Sequence, residues 1–285
     1  SPEHDILLED ARRIKRDAEP GDEIIFPLET YDDYGRIAAQ TAKQVIIQRI
    51  REAEKVSIVG EYGNKQGEII QGTVQRIERG NIYVDLGKTT GILAYEDQIP
   101  GERYKQGERI RAYLYKVDES PRGIEVRLSR SHPKMIEKLF AQEAPEVASG
   151  TVEIKAVARE PGSRAKVAVF SADEHIDPIG SCVGQRGVRV STVMSEIGGE
   201  KIDLILWSDD AKKFIADALS PARTQTVVLY EVSHQATVTV APDQQSLAIG
   251  RGGQNVRLAA KLTGWKLDIV SGEGETPVEG SDEKI

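Results

Sequence analysis

Cysteine is almost missing from this 285-residue chain. Cys182 stands alone, so no disulfide can form within the chain, as suits a reducing cytosol; beside an expected glycine loop it reads as a small buried residue. Histidine is sparse as well. His4, His132, His175 and His234 are scattered, with no pair at helical spacing and no Cys/His cluster, so no metal site is expected. Aromatic residues make up 5% of the chain, so the cores must be largely aliphatic. No apolar run approaches the ~20 residues of a membrane span, and no signal peptide opens the chain. No G-x-x-x-x-G-K-[S/T] string occurs, which excludes a P-loop. A dinucleotide-binding reading of Gly250-Arg251-Gly252 fails, because Asn255 stands where the third glycine is needed. The acidic pairs Asp32-Asp33 and Asp209-Asp210 fall at expected helix starts, where capping accounts for them. The expectation is a cytoplasmic protein, a monomer, that is not an enzyme and needs no cofactor.

The formal net charge is −8, which taken alone argues against a nucleic-acid ligand. The charge is uneven, however. Residues 1–60 carry 9 Lys+Arg against 13 Asp+Glu, and residues 272–285 carry 1 against 5. The stretch between them is neutral overall, so basic patches there are not swamped. The chain begins at Ser1, not Met, which reads as a fragment or a processed chain.

Periodicity divides the chain into four folded regions and a tail. In residues 1–62, Ile6, Leu7, Ala11 and Ile14 mark a short amphipathic helix, Glu23–Phe26 a strand, and Tyr34–Val59 a long helix with Ile37, Thr41, Val45 and Ile50 on one face. In residues 63–130, five strand-like runs appear: Ile69–Ile77, Ile82–Leu86, Gly91–Tyr95, Arg109–Val117 and Ile124–Leu128. Turn signals such as Arg79-Gly80-Asn81 and Ser120-Pro121-Arg122-Gly123 separate them. This predicts a small closed barrel of the oligonucleotide-binding type, with Val84 and Leu86 inward and Tyr83 and Asp85 outward. Residues 131–207 and 208–271 repeat one order, α-β-β-α-α-β. In the first copy, His132-Pro133 opens a helix to about Gln142; strands Thr151–Arg159 and Arg164–Ala172, a helix pair over 178–197 and strand Lys201–Trp207 follow. In the second, helix Asp209–Leu219, with Ser208 or Asp209 as N-cap, precedes strands Thr226–Val232 and Ala236–Ala241, a helix pair over 244–263 and strand Lys266–Val270. Residues 272–285 are expected to be an acidic disordered tail. The predicted class is multidomain α+β: a partial N-terminal α/β segment with a long helix, a five-stranded barrel, and two tandem α-β-β-α-α-β domains.

Each repeat holds a glycine loop between two helices, Gly184-Gln185-Arg186-Gly187 and Gly250-Arg251-Gly252-Gly253. Such a turn presents backbone N–H groups with no side chain in the way. The helix that follows adds its N-terminal dipole, so a phosphate fits there. One G-x-x-G string is a weak signal; Gly60-Glu61-Tyr62-Gly63 reads as a decoy in a turn-rich segment with no helix after it. Two copies in matching surroundings carry more weight. Single-stranded nucleic acid is the expected partner, with phosphates on the loops and bases against a neighbouring strand edge. Arg186, Arg189, Arg251 and Arg257 are candidates for phosphate contacts. Gln254 and Asn255 either read base edges or cap a helix, and Tyr83 offers a stacking surface on the barrel.

The repeated units resemble KH domains of the bacterial (type II) topology, and the barrel resembles the RNA-binding S1 domain. The order S1, KH, KH resembles the NusA family of bacterial transcription factors. Its most specific parts here are Gly35-Arg36-Ile37-Ala38-Ala39-Gln40-Thr41-Ala42-Lys43-Gln44 and Ile249-Gly250-Arg251-Gly252-Gly253-Gln254-Asn255-Val256-Arg257. The resemblance implies an RNA-binding elongation factor that modulates pausing, termination and antitermination. It also implies RNA contacts at Gly184, Gln185, Arg186 and Gly187 and at Gly250, Arg251, Gly252 and Gly253. RNA polymerase and other antitermination factors would be partners, and no membrane is involved. Residues 1–62 correspond to the last part of the family's polymerase-binding N-terminal domain. The barrel departs from the S1 pattern. Gly91-Ile92-Leu93-Ala94 has alanine where histidine is common, and Arg79 stands where an aromatic is usual, while Tyr83 matches the second aromatic position. The barrel is therefore expected to bind RNA more weakly than the KH pair. S1 and KH modules also occur in ribonuclease and exosome-type complexes, which is the alternative reading; the barrel-first order and the lack of a carboxylate cluster weigh against it.

Overall fold

The computed structural model describes residues 5–25, 32–120 and 123–272. The chain divides into two compact units, Ser1–Glu54 and Lys55–Ile285. In the first, α1 (Leu8–Ile14) buries only Ala11, and Ile6, Leu7 and Ile14 are exposed. The expected strand at Glu23–Phe26 does not form over Glu23–Ile25, which have no ladder partner among the described residues to pair their N–H and C=O groups. Phe26 lies outside the described residues, as do Pro121-Arg122 of the expected turn and all but Gly272 of the expected tail.

Helix α2 (Asp32–Gly63) is longer than the Tyr34–Val59 expected. The supposed decoy turn Gly60-Glu61-Tyr62-Gly63 is its last turn. A glycine in a helix interior costs about 1 kcal/mol, but the Tyr62 ring is 4% exposed in the barrel core. Its hydroxyl donates to the Leu86 carbonyl at 2.8 Å. Burial of that ring, which local pattern does not show, outweighs the glycine penalty.

The barrel comprises β1 (Ile69–Glu78), β2 (Asn81–Asp85), β3 (Thr90–Leu93), β4 (Arg109–Ser120) and β5 (Gly123–Ser129). It closes in the order β1-β2-β3-β5-β4. Alternation holds as expected: Ile82, Val84, Leu93, Leu114, Val126 and Leu128 fill the interior, Leu86 packs against them, and Asp85 faces outward.

The first repeat runs α3 (Pro133–Glu143), α4 (Pro145–Ala148), β6 (Val152–Glu160), β7 (Arg164–Ser171), α5 (Pro178–Val183), α6 (Val188–Glu196) and β8 (Lys201–Leu206). The second runs α7 (Ala211–Ala218), β9 (Thr224–Tyr230), β10 (Gln235–Val240), α8 (Gln245–Ile249), α9 (Gln254–Thr263) and β11 (Lys266–Ser271). His132 caps α3, its Nδ1 accepting from the Lys134 N–H at 3.1 Å. The α7 N-cap is Asp210, one residue beyond the two expected; it accepts from the Lys212 N–H at 2.9 Å. In each repeat the first two strands are antiparallel and the last pair is parallel. A parallel pair needs a long crossover, and that crossover is the helix pair carrying the glycine loop.

The first sheet is covered on both faces. Ala165, Val167 and Val169 of β7 pack on Met135, Phe140, Cys182, Val193 and Ile197 of the same repeat. Ala158, Ala168 and Ile205 on the other face share a core with Phe214, Ile215, Leu219, Val238 and Leu258 of the second repeat. Lys166, fully buried at this seam, donates from Nζ to Ser220 O at 2.8 Å and to Asp203 Oδ2 at 3.2 Å. Its desolvation lowers its pKa, and Asp203 opposes that shift. The matching face of the second sheet carries Thr237 and Thr239, with Val228 and Tyr230 exposed.

The barrel is tied to the first repeat by buried guanidinium groups. Arg130 donates to both Glu102 carboxylate oxygens at 2.7 and 2.6 Å and to the Arg111 and Glu196 carbonyls at 2.6 Å. Arg159 is bidentate to Glu200 at 2.9 and 3.0 Å and donates to Arg130 O at 2.8 Å. The His132 ring stacks on Tyr113 at 4.8 Å.

Candidate nucleic-acid interface

The two glycine loops follow nearly the same backbone path. Gly184 takes φ 72°, ψ 175° and Gly250 takes φ 74°, ψ 171°, a region open essentially to glycine alone. A Cβ would also lack room, lying 2.6 Å from Arg189 Cγ at the first and 2.7 Å from Asn255 Cβ at the second. Two left-handed residues follow in each: Arg186 and Gly187 at φ 53° and 75°, Gly252 and Gly253 at φ 59° and 73°. Helices α6 and α9 then begin with no side-chain cap; their first N–H groups, on Val188 and Gln254, donate to the Gln185 and Arg251 carbonyls of the loops. A Cβ on Gly187 or Gly252 would meet nothing within 4 Å: that side of each loop is open. The helix pairs also touch β8 and β11, each an edge strand with one ladder side unpaired among the described residues. Beside the first loop, His175, Asp177, Ser181, Gly184 and Gln185 line a shallow depression.

The candidate side chains separate into two groups. Gln185, Arg186 and Arg251 are exposed at the loop tips. Among the described residues, neither arginine has an ion pair or hydrogen-bond partner. The others are engaged within the protein. Arg189 lays its stem over Gly184 and donates from Nη1 to Ser181 O at 2.6 Å and Glu146 Oε2 at 2.9 Å. Asn255, at the matching position, is 4% exposed; its Nδ2 donates to the carbonyls of Leu219, Ala248 and Leu247 at 2.9, 3.1 and 3.2 Å. Of the two roles open at Asn255, this is the capping one, but it serves the C-terminal end of α8, not the start of α9. Its Oδ1 is buried with no partner among the described residues. Gln254 donates from Nε2 to Glu160 Oε2 and Ser163 Oγ, both at 2.7 Å. Arg257 donates from Nε to Glu160 Oε1 at 2.6 Å and from Nη1 to Gly252 O at 3.1 Å. The Arg257 guanidinium holds the Glu160 carboxyl below the usual carboxylate range. Glu146, Glu160 and Ser163 were not singled out in the sequence, because their partners lie far along the chain.

Comparison with known proteins reports the same domain order. Residues 1–56 match the NusA N-terminal domain, 64–129 the S1 RNA binding domain, 130–207 the NusA-like first KH domain and 211–276 the NusA-like second KH domain. The Transcription termination/antitermination protein NusA of Thermus thermophilus is 46% identical over 273 residues, covering 95% of this chain and 70% of the relative. The chain belongs to the NusA family. The Bacillus subtilis protein of the same name is 47% identical over 94% of this chain and 72% of its own length. The Rickettsia prowazekii protein is 46% identical over 95% of this chain, but over only 54% of its own length.

In this NusA-family chain the S1 barrel presents its aromatics unevenly. Tyr83 is half-buried, with the Arg76 guanidinium over its ring at 4.0 Å from the centroid, so one face is covered. Tyr95, which sequence reading passed over as a strand end, is 73% exposed. Its ring lies against Gly80, where a Cβ would be 3.3 Å from Tyr95 Cδ2. Its backbone N–H donates to Asn81 Oδ1 at 3.0 Å. One face of the ring is backed by main chain and the rest is open. Cys182 is wholly buried, and burial pushes its thiol pKa up to about 11. Among the described residues no helix is long and apolar enough to cross a membrane, and no group of three or more His, Cys, Asp or Glu is placed to hold a metal ion.

Proposed function

We propose that this chain is an RNA-binding transcription elongation factor that modulates pausing, termination and antitermination by holding single-stranded nascent RNA on its tandem KH domains. The observation that carries this reading is the pair of exposed loops of one backbone shape. Each opens onto a helix start with no side-chain cap, beside an arginine, Arg186 or Arg251, that has no partner among the described residues. Phosphates rest on the loop N–H groups, bases lie toward the edges of β8 and β11, and one strand crosses both loops with the benefit of high effective concentration. RNA polymerase and other antitermination factors are the protein partners in this reading, which takes 1–62, 63–130, 131–207 and 208–271 as its domains. The relatives' named role in termination and antitermination favours it over an RNA-degrading complex.

Titration of a labelled single-stranded RNA at several salt concentrations tests the phosphate grip. The logarithm of affinity should fall against the logarithm of salt with a slope of about −0.7 per phosphate neutralised. A slope near zero would sink the reading. On the barrel, Tyr95 is the proposed stacking platform for an unpaired base. Because base–aromatic stacking contributes about 1–3 kcal/mol per base, Tyr95→Ala should weaken binding of an RNA long enough to reach the barrel by about 5- to 100-fold. Tyr95→Phe should stay near wild type. Equal affinity of the alanine variant and wild type on the long RNA would remove Tyr95 from the site.

A further inference from the structure

We infer that Glu160 of the first KH domain is a positioning residue for the RNA loop of the second. The inference rests on the loop reading above and deepens it. Glu160 ends β6, and both of its carboxylate oxygens are occupied by side chains of α9: Oε1 by Arg257 Nε at 2.6 Å, Oε2 by Gln254 Nε2 at 2.7 Å. Arg257 in turn holds the loop itself, through Nη1 to the Gly252 carbonyl at 3.1 Å. Ser163, across the β6–β7 turn, takes a second bond from Gln254 at 2.7 Å.

That turn is itself wedged in place: a Cβ on Gly162 would lie 2.8 Å from the Pro100 carbonyl of the barrel. A chain of contacts therefore runs from the barrel, through the β6–β7 turn, to the Gly252 carbonyl. The first loop is braced differently, within its own domain, by Arg189 on the Ser181 carbonyl and Glu146. At the positions matching Gln254 and Arg257, α6 carries Val188, which is 63% exposed, and Ser191. A carboxylate beside a phosphate cradle would repel RNA if it stood alone. Here it is matched by Arg257 and holds a left-handed, glycine-built loop in one shape. Preorganisation of this kind strengthens binding by removing the cost of ordering the loop.

The sign of the effect makes the test sharp. Fluorescence anisotropy with a single-stranded RNA spanning both loops would compare the intact wild-type chain with Glu160→Ala, Glu160→Gln, Arg257→Lys, Gly252→Asp and Glu160→Ala/Gly252→Asp. Glu160→Ala should lower affinity about five- to tenfold, the size of a typical coupling between sites, even though it removes a negative charge from the neighbourhood of the phosphates. Glu160→Gln keeps acceptor oxygen for Arg257 and should recover most of the loss. Arg257→Lys keeps the charge but cannot span Glu160 and Gly252 with two nitrogens, and should lose affinity as Glu160→Ala does. On the Gly252→Asp background, Glu160→Ala should change nothing further.

Tighter or unchanged binding by Glu160→Ala, with Gly252→Asp still harmful, overturns the inference and leaves the loop reading standing. An undiminished Glu160→Ala effect on the Gly252→Asp background places the loss elsewhere in the fold and overturns it too. Unchanged affinity of Gly252→Asp itself would overturn the loop reading, and this inference with it.

Discussion

The double variant Gly187→Asp/Gly252→Asp should lose single-stranded RNA binding by about 100-fold or more, since a like charge at a contact costs several kcal/mol and each 1.4 kcal/mol is tenfold. The structure makes this a clean test. A Cβ at either position meets nothing within 4 Å, so a side chain enters without displacing a neighbour. Both residues are left-handed, at φ 75° and 59°, and Asp is among the few residues that visit this region at modest cost. The fold should therefore survive while each loop acquires a carboxylate where the proposed phosphate would rest. Gly187→Asn/Gly252→Asn, of the same size but uncharged, should retain more affinity. Equal binding by the folded Asp variant and the wild type would mean that the loops are only turns.

Arg159→Ala should be the most destabilising single change at the junction of barrel and first KH domain. The Arg159 and Glu200 side chains are 1% and 0% exposed. Arg159 also satisfies the Arg130 and His132 carbonyls, at 2.8 and 3.1 Å. Removing one partner of a buried ion pair strands the other charge and costs about 3–5 kcal/mol. Urea unfolding of Arg159→Ala should show a loss of that order. Replacing both partners by apolar groups, as in Arg159→Met/Glu200→Leu, should give back much of it, because no charge is then left buried alone. A loss under about 1 kcal/mol for Arg159→Ala would show that the pair is hydrated in solution, which the buried geometry denies.

What could be read from residue order alone is what short-range sterics govern. Alternation at Val84 and Leu86 implied the barrel interior, and His132-Pro133 implied the start of α3. Gly184 and Gly250 marked turns that no side chain tolerates. The duplication of α-β-β-α-α-β was visible because each copy must solve the same packing problem. The errors came where a distant partner decided the outcome. Gly60–Gly63 looked like a turn until the barrel core claimed Tyr62. Glu23–Ile25 looked like a strand but had no ladder to join. Arg189, Gln254, Asn255 and Arg257 looked alike as polar residues behind a glycine loop, yet Arg189 pairs with Glu146, Asn255 caps α8, and Gln254 and Arg257 reach Glu160.

Sequence by itself determined that this chain carries two bare, left-handed backbone cradles behind a small barrel, because positive φ and the room for it are properties of glycine and its immediate neighbours. Only the tertiary structure decided which cations remain available beside those cradles. A hydrogen bond joins residues nearly a hundred positions apart as readily as neighbours, and nothing in local order reports it.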